Sequence, residues 1–233
     1  MAAATSSAHR SARMDLILAL LAFASSITDV LGFLALSNVF TSGMTGNTAL
    51  LGLAVGQGQI FTASHSATAL AGFIFGVAFG AFLSGMARHP AGLANLLIVE
   101  SVCLATFCAI WFAFDHPAGS TAIYLLIALS ATGMGIQTVA ARRINVPGIP
   151  TVVFTTTLTN IVMAATDAIA RHAPFSRDTK RQIGIFSIYL GGAMLAGALA
   201  SRSLGALALL PLVAVTAALG VEYGNTLAQS SRG

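Results

Sequence analysis

A polar stretch interrupts an otherwise apolar sequence in the first fifth of the chain, and its composition is typical of a binding segment. It reads Ser37-Asn38-Val39-Phe40-Thr41-Ser42-Gly43-Met44-Thr45-Gly46-Asn47-Thr48, with two glycines and a dense set of hydroxyl and amide side chains. We predict that Val39-Phe40 is extended and that a half-helix begins near Thr48. Thr45 or Asn47 would cap this half-helix, and its positive end favours an anion, a carboxylate or another polar group.

The second half of the chain contains a related polar stretch, within the segment 151–170. Residues 39–47 align without a gap with residues 153–161, and four of the nine pairs are identical. An extended conformation would place alternate hydroxyl groups of this stretch on one side of the chain. These groups belong to Thr155, Thr157 and Thr159, with the amide of Asn160 beside them. The alternative is a polar loop that turns back without a function.

Two carboxylates lie inside long apolar runs, where an ionisable side chain is costly and a function is the first hypothesis. Asp29 shares one helical face with three small residues, which are Ala22, Ser25 and Gly32. We predict that it faces the protein interior and binds a proton or a cation. The alternative is that its carboxylate caps the broken backbone between residues 41 and 47. Glu100 is either a second coupling carboxylate or a side chain that extends towards Arg88 at the membrane surface.

Other polar and small residues in the apolar runs have roles in packing or pairing. The amide of Gln137 must find a partner in the bundle, which makes it a further candidate for the site. A ladder of small residues follows at every fourth position of one run: Thr68, Gly72, Gly76, Gly80 and Ser84. Such a ladder permits close helix contact, either within the chain against the first polar stretch or between two copies in a homodimer. Asp167 lies four residues before Arg171, and an ion pair explains it.

No arrangement of residues predicts a catalytic or metal centre. Four histidines lie at the ends of apolar runs or between them, and they do not converge: His65, His89, His116 and His172. Cys103 and Cys108 are spaced for packing rather than for a redox pair or a zinc site. Nucleophile-elbow, phosphate-loop and metalloprotease motifs are absent from the sequence. We therefore predict a protein that is not an enzyme and that uses no metal or cofactor.

The composition of the whole chain indicates where these residues act. Hydrophobic residues make up 56% of the 233 positions and charged residues 8%, which excludes an ordinary soluble domain and a nucleic-acid-binding face. Six runs are long enough to cross a bilayer as helices. They are residues 16–36, 66–86, 93–114, 119–140, 183–201 and 204–221. The segments 39–55 and 151–170 are too short and too polar, and we predict that both break or re-enter the membrane.

The positions of Lys and Arg set the predicted topology, because cytoplasmic loops of membrane proteins carry an excess of both. With six spans and a cytoplasmic N-terminus, ten of the eleven Lys and Arg residues lie on the cytoplasmic side, and only Arg202 lies outside. We predict a flexible cytoplasmic segment 1–14, a single transmembrane domain 15–223 and a cytoplasmic tail 224–233.

The similarity between the two polar stretches predicts an internal repeat. The repeat halves, about 15–115 and 119–223, would hold three spans each, so the second half inserts in the opposite direction. A similar pattern of small residues follows each stretch and supports the repeat, with chance similarity between apolar helices as the alternative. Inverted repeats recur in secondary transporters, where broken helices from both halves meet near the middle of the membrane.

These motifs resemble those of the YoaK-like family, bacterial inner-membrane proteins of about six spans that are grouped as a domain of unknown function. The resemblance covers residue 14 to about residue 223, and it rests on Asp29-Val30-Leu31-Gly32-Phe33-Leu34 and on residues 39–48. Its most specific element is Met44-Thr45-Gly46-Asn47-Thr48. The family's G-x-Q-N and T-G-T-L-T elements correspond here to Gly135-Ile136-Gln137-Thr138 and Thr155-Thr156-Thr157-Leu158-Thr159. The resemblance implies location and topology, and it implies no activity.

We therefore expect an all-α integral membrane protein of the bacterial inner membrane that moves a small polar or anionic solute. The candidates for solute binding are Asp29, Thr41, Thr45, Asn47, Gln137, Thr155, Thr159 and Asn160, and the candidates for proton coupling are Asp29 and Glu100. The alternative is a scaffold or sensor that acts through helix association. A transporter would place both polar stretches around a polar cavity near Asp29, whereas a scaffold would turn its small residues outward.

Overall fold

The computed structural model describes residues 2–86, 92–114, 120–144, 154–172 and 174–230, which form eight α-helices and no strand. The helices are α1 (Ala2–Ala35), α2 (Met44–Gly56), α3 (Ile60–Met86), α4 (Gly92–Ala113), α5 (Thr121–Ile144), α6 (Phe154–Arg171), α7 (Arg177–Ala200) and α8 (Leu204–Ser230). All except α2 and α6 are long and apolar enough to cross a membrane. The prediction of an all-α membrane protein with about six spans is confirmed.

The six spans match the predicted ones in number and order. They are Ser11–Ala35, Ile60–Gly85, Gly92–Ala113, Thr121–Ile144, Arg177–Ala200 and Leu204–Gly224. The predicted start of the fourth span, residue 119, lies outside the described residues. The helix α2 has 13 residues, which corresponds to about 20 Å and is too short for a bilayer core of about 30 Å. This first polar segment is therefore followed by a half-length helix, as the sequence predicts.

The two ends of the chain are more helical than the sequence predicts. The segment 1–14, predicted to be flexible, is helical from Ala2, and α8 continues to Ser230 through most of the predicted tail. Two ion pairs connect the N-terminal region of α1, at residues 13 and 15, to the neighbouring helices. Arg181 of α7 lies 3.0 Å from Asp15, and Arg13 lies 3.4 Å from Glu222 of α8.

The helices α1, α4, α5 and α8 form the centre of the bundle. Two buried apolar clusters join these four helices, one around Ile27 and Leu126 and the other around Leu97 and Val215. The helix α3 packs against α5, and α7 packs against α1, so α3 and α7 flank the centre. The two shorter helices lie further out, because α2 packs against α3 and α6 packs against α7.

The small-residue ladder of α3 faces α5. Its three glycines, Gly72, Gly76 and Gly80, are buried. The Thr132 hydroxyl of α5 donates a hydrogen bond to the Gly72 carbonyl oxygen over 3.1 Å. At the end of the ladder, the Arg143 guanidinium donates to the Ser84 hydroxyl over 2.5 Å. The ladder therefore makes a contact within the chain, and its partner is α5 rather than the first polar stretch.

The tight contact between α3 and α5 predicts the effect of adding one methyl group. In the Gly76→Ala variant the new methyl would overlap the Thr132 carbonyl group. We expect a loss of about 1–3 kcal/mol in the free energy of unfolding, because overpacking forces the helices apart. Reversible unfolding of the purified protein in detergent measures this loss. The control is Gly85→Ala, where no atom lies within 4 Å of the added methyl, and equal stability of the two variants would contradict the tight contact.

Candidate functional site

The break between α1 and α2 is organised around the carboxylate of Asp29, which is 3% exposed. Its Oδ1 accepts hydrogen bonds from the backbone N–H groups of Thr41 (2.8 Å) and Ser42 (2.7 Å) and from the Thr41 hydroxyl (3.1 Å). Its Oδ2 accepts from the hydroxyls of Ser42 (2.5 Å) and Tyr189 (2.8 Å). The carboxylate thus caps the broken backbone, as the structural alternative for Asp29 predicts. It also joins the break to α7 through Tyr189.

The buried amide of Asn47 holds the other side of the break. Its Oδ1 accepts a hydrogen bond from the Phe40 N–H over 2.9 Å, and its Nδ2 donates to the Phe40 carbonyl oxygen over 2.5 Å. The side chain therefore pairs with Phe40 as a neighbouring strand would. Both polar groups of a non-helical residue are satisfied in this way inside an apolar region. The Phe40 ring stacks on Phe33 of α1 with 5.4 Å between ring centroids.

The path of the chain through the break depends on two residues with positive φ and on two glycines. Ser37 and Asn38 both have a φ of 62°, and this left-handed conformation ends α1 and turns the chain back. A methyl group on Gly32 would lie 2.7 Å from a carbonyl oxygen of the returning segment. A methyl group on Gly46 would lie 2.9 Å from the Phe40 ring. These glycines allow the break to pack closely between α1 and α2.

The half-helix after the break begins earlier than predicted. It starts at Met44 rather than near Thr48, and Gly43 at its N-cap position has no side chain that could cap the helix. The predicted caps have other roles. Thr45 is exposed in the first turn, and Asn47 reaches back into the break. The first turn of α2 therefore presents its backbone N–H groups without a side-chain cap.

A cavity of about 410 Å³ lies beside the break, which is within the usual size range of small-molecule sites. We call it the large cavity. Its polar lining consists of Asp29, Ser42, Thr45, Thr155 and Tyr189, and its apolar lining includes Phe40, Met44, Phe186 and Leu190. The first polar stretch, α6 and α7 all contribute to it. The two polar stretches therefore meet at one cavity near Asp29.

A second cavity of about 20 Å³ also reaches Ser42, and it has room for about one water molecule. We call it the small cavity. Its polar lining consists of Ser25, Ser42, Gln137 and Thr138. The Ser25 hydroxyl donates to the Ser42 hydroxyl over 2.9 Å, and the Gln137 amide donates to the Leu21 carbonyl oxygen over 2.9 Å. Ser42 therefore lines both cavities and is hydrogen-bonded to Asp29.

The structure separates the predicted solute-binding residues into groups. Asp29, Thr45 and Thr155 line the large cavity, and Gln137 lines the small one. Thr41 and Asn47 are buried and hold the break, so their side chains do not line the large cavity. Thr159 and Asn160 are not among the lining residues of either cavity.

The second polar stretch is helical rather than extended. The helix α6 begins at Phe154, so its threonine hydroxyls point in different directions, with Thr157 buried and Thr155 and Thr159 exposed. The Thr159 hydroxyl donates to the Thr155 carbonyl oxygen one turn earlier, over 2.9 Å. Residues 151–153, where the predicted extended segment starts, lie outside the described residues.

The sequence explains why residues 154–157 are helical although the aligned residues 40–43 are not. In the gapless alignment, Thr157 and Asn160 replace the two glycines of the first stretch, and Ile161 replaces Asn47. The second stretch therefore lacks the amide that pairs with the non-helical backbone. It also lacks the glycines beside the aromatic ring. Without these groups, a continuous helix is the conformation that satisfies the backbone.

The remaining candidates lie apart from the large cavity. Glu100 is fully buried and does not extend towards the surface, and Arg88 lies outside the described residues. Asp167 and Arg171 form the predicted ion pair at 3.8 Å, with both side chains largely exposed. In the part of the chain that the structure describes, no group of three His, Cys, Asp or Glu residues is placed to hold a metal ion. His89 and His116 lie outside that part.

Two residues of structural interest are missed by the sequence analysis. Tyr189 contacts Asp29 across 160 residues of sequence, and the only local signal is a hydroxyl group inside an apolar run. His65 is buried within α3 instead of lying at the end of a span. Its ring stacks on Tyr124 and meets the edge of Phe61, each at 4.7 Å between centroids.

Comparison with known proteins gives a family and a relative. A family described as a protein of unknown function (DUF1275) matches residues 17–221. The chain is similar to the UPF0700 transmembrane protein YoaK of Bacillus subtilis (strain 168), with 34% identity over 197 residues, which cover 82% of this chain and 84% of the relative. No solved structure is significantly similar. The matched range includes the lining residues of both cavities.

The hydrogen bonds of Asp29 predict different effects for two substitutions. We expect Asp29→Leu to lose about 2–5 kcal/mol of unfolding free energy, because each buried N–H left unpaired costs about 1–3 kcal/mol. Asp29→Asn keeps an oxygen for the Thr41 and Ser42 N–H groups, and the hydroxyls on Oδ2 can turn to accept from the new amide. Its loss should be less than half as large in the same detergent unfolding measurement. Equal losses would show that the backbone bonds do not stabilise the break.

Proposed function

The chain belongs to the DUF1275 family of proteins of unknown function, and we propose that it is a secondary transporter for a small polar or anionic solute. The observation that carries this proposal is the large cavity, where the broken segment, α6 and α7 meet beside Asp29. Discontinuous helices around a polar cavity within the bundle are typical of transporter binding sites. Irregular backbone at membrane depth is also found where it lines such a cavity.

The two cavities share Ser42 as a lining residue, and this arrangement supports alternating access. Asp29, Ser42 and Ser25 form a continuous chain of hydrogen bonds, with the Ser42 hydroxyl 2.5 Å from Asp29 Oδ2 and 2.9 Å from the Ser25 hydroxyl. Ser42 lines both cavities. A movement that breaks this chain would connect the large cavity to the small one. The polar chain therefore has the position expected of a gate.

The lining of the large cavity limits the charge of the solute. Among the described lining residues, Asp29 is the one charged side chain. The first turn of α2 presents backbone N–H groups and the positive end of the helix dipole from the same lining. Asp29 already binds the Ser42 N–H beside this helix end, so an anionic group on the solute would bind the N–H groups of the first turn of α2 itself. A neutral polar solute fits without this restriction.

The packing of the spans supports a 3+3 inverted repeat. Each helix of the first half has a counterpart in the second half: α1 and α5, α2 and α6, α3 and α7, α4 and α8. When every helix is replaced by its counterpart, the same pairs of helices are in contact. For example, α3 on α5 becomes α7 on α1, and α2 on α3 becomes α6 on α7. The two halves thus have the same contact pattern, although residues 40–43 are non-helical and the aligned residues 154–157 are helical. Such repeats are a common basis of alternating access.

The scaffold or sensor alternative requires small residues that face another protein. The ladder of α3 is instead used against α5 within the chain. A homodimer stays a prediction, and its interface would have to lie on other residues. The comparison between the two functions therefore favours transport.

The location of the protein follows from the same proposal. A multi-pass membrane protein related to a bacterial transmembrane protein would act in the inner membrane, with the bilayer as its environment and no nucleic-acid partner. Both termini would be cytoplasmic, because this orientation places most Lys and Arg residues inside. The protein would need no cofactor and would catalyse no covalent reaction.

Tyr189 lines the large cavity, and we predict that its hydroxyl group is needed for transport. Proteoliposomes with an imposed pH gradient would be tested for uptake of neutral amino acids, polyols, short-chain carboxylates and nucleosides. For a transported compound, we expect Tyr189→Phe to reduce uptake about tenfold or more, because a hydrogen bond to a charged group contributes about 1.5–3 kcal/mol. The control is Tyr124→Phe, whose hydroxyl contacts Ser64 away from the large cavity. Equal uptake by both variants would contradict the assignment of the cavity.

A second measurement tests the cavity by thiol labelling. Cysteines would be introduced as Thr155→Cys and Thr166→Cys, two exposed positions of α6, in a chain whose native cysteines are replaced by alanine. Thr155 lines the large cavity and Thr166 is not among its lining residues. We expect a transported compound to slow labelling at position 155 and to leave position 166 unchanged. Equal labelling with and without the compound at position 155 would overturn the proposed site.

A further inference from the structure

The centre of the bundle holds a carboxylate that has no partner in the described part of the chain. Glu100 on α4 is 0% exposed, and neither of its carboxyl oxygens makes a hydrogen bond with a described residue. It lies eight residues after Gly92, the first residue of α4. This places it about 12 Å along a helix of about 32 Å, far from both ends of the span.

The residues that can be placed near Glu100 on α4 and α5 are apolar or small. The neighbours one turn away on α4, Leu97 and Leu104, belong to a buried cluster with residues of α1, α5 and α8. On α5 the facing residue is Gly133, where an added methyl group would lie 4.0 Å from Glu100 Cγ. Among the described residues, no side chain donates a hydrogen bond to either carboxyl oxygen of Glu100.

The charged groups of the neighbouring helices have other partners. Arg13 of α1 and Glu222 of α8 pair with each other, and Arg143 of α5 binds Ser84. Asp29 of α1 is held by Thr41, Ser42 and Tyr189. On α4 itself, Cys103 lies three residues after Glu100, and a thiol carries no positive charge. Among the described residues, no cation is therefore placed to neutralise an ionised Glu100.

Asp29 and Glu100 have opposite environments. Asp29 accepts five hydrogen bonds, two of them from the backbone N–H groups of Thr41 and Ser42. Glu100 accepts none from the residues that the structure describes, and an unpaired charge in an apolar core is strongly unfavourable. Two carboxyl groups in such different environments take different protonation states and different roles.

We propose that Glu100 is the proton-binding site of this protein and carries its proton in the conformation described above. The use of this proton to drive a solute rests on the proposed transport function, whereas its binding to Glu100 does not. In the transport cycle, the carboxyl group releases the proton to water on one side when the bundle opens there. It takes up a proton from water on the other side, and no bond other than the O–H bond changes. Asp29 remains the residue that organises the break and the gate.

Infrared spectroscopy of the protein in lipid tests proton binding without any solute. We expect the wild type at neutral pH to show the carbonyl band of a protonated carboxylic acid, shifted in deuterated water. Glu100→Gln should remove the band, whereas Asp29→Asn should retain it. A band that is absent from the wild type, or that survives in Glu100→Gln, would overturn the proposal. Thermal unfolding should show Glu100→Gln to be at least as stable as the wild type, because its amide is neutral and nearly the same shape.

Uptake with a pH gradient then separates this inference from the proposed function. The probe is the compound of the solute panel with the largest wild-type uptake. We expect Glu100→Gln to lose the stimulation of uptake by the pH gradient and to retain solute exchange without a gradient. Uptake by Glu100→Gln that still responds to the gradient would overturn the role in coupling. No uptake of any compound by the wild type, together with the infrared band of Glu100, would contradict transport and leave the proton-binding site established.

Discussion

A buried non-helical segment must find hydrogen-bond partners within the protein, and the rest of this site depends on how that requirement is met. The carboxylate of Asp29 accepts from two backbone N–H groups, and the amide of Asn47 satisfies both backbone groups of Phe40. With these groups satisfied, α2 can begin inside the bundle with its first turn towards the large cavity. Asn47 therefore holds the break without lining the large cavity, whereas Asp29 does both.

The fold follows from the sequence far more directly than the site does. Runs of apolar residues identify the six spans, because hydropathy and length determine which segments can cross a bilayer. The inward direction of Asp29 follows from its helical face. The role of Asn47 does not, because its amide reaches back across the break instead of capping α2. Tyr189 lies far away in sequence, and only the packing of α1 on α7 brings it to the carboxylate.

The two halves of the bundle show how few residues separate a non-helical segment from a helical one at aligned positions. Both halves use the same pattern of helix contacts. The first polar stretch has two glycines and a buried amide, and the second has larger side chains at the aligned positions. As a result, α6 is helical from Phe154, and both α6 and the first polar stretch line the large cavity. The asymmetry of the cavity arises from these substitutions.

The partners of Asp29 also become available at different times during synthesis. Thr41 and Ser42 follow it by 12 and 13 residues, so their hydrogen bonds can form as soon as the first helix and the break have left the ribosome. Tyr189 is translated 160 residues after Asp29, when most of the bundle already exists. The break is thus a local folding unit that precedes the domain, and the arrival of α7 completes it. A nascent chain that stops before α7 would contain the folded turn but would lack one wall of its cavity.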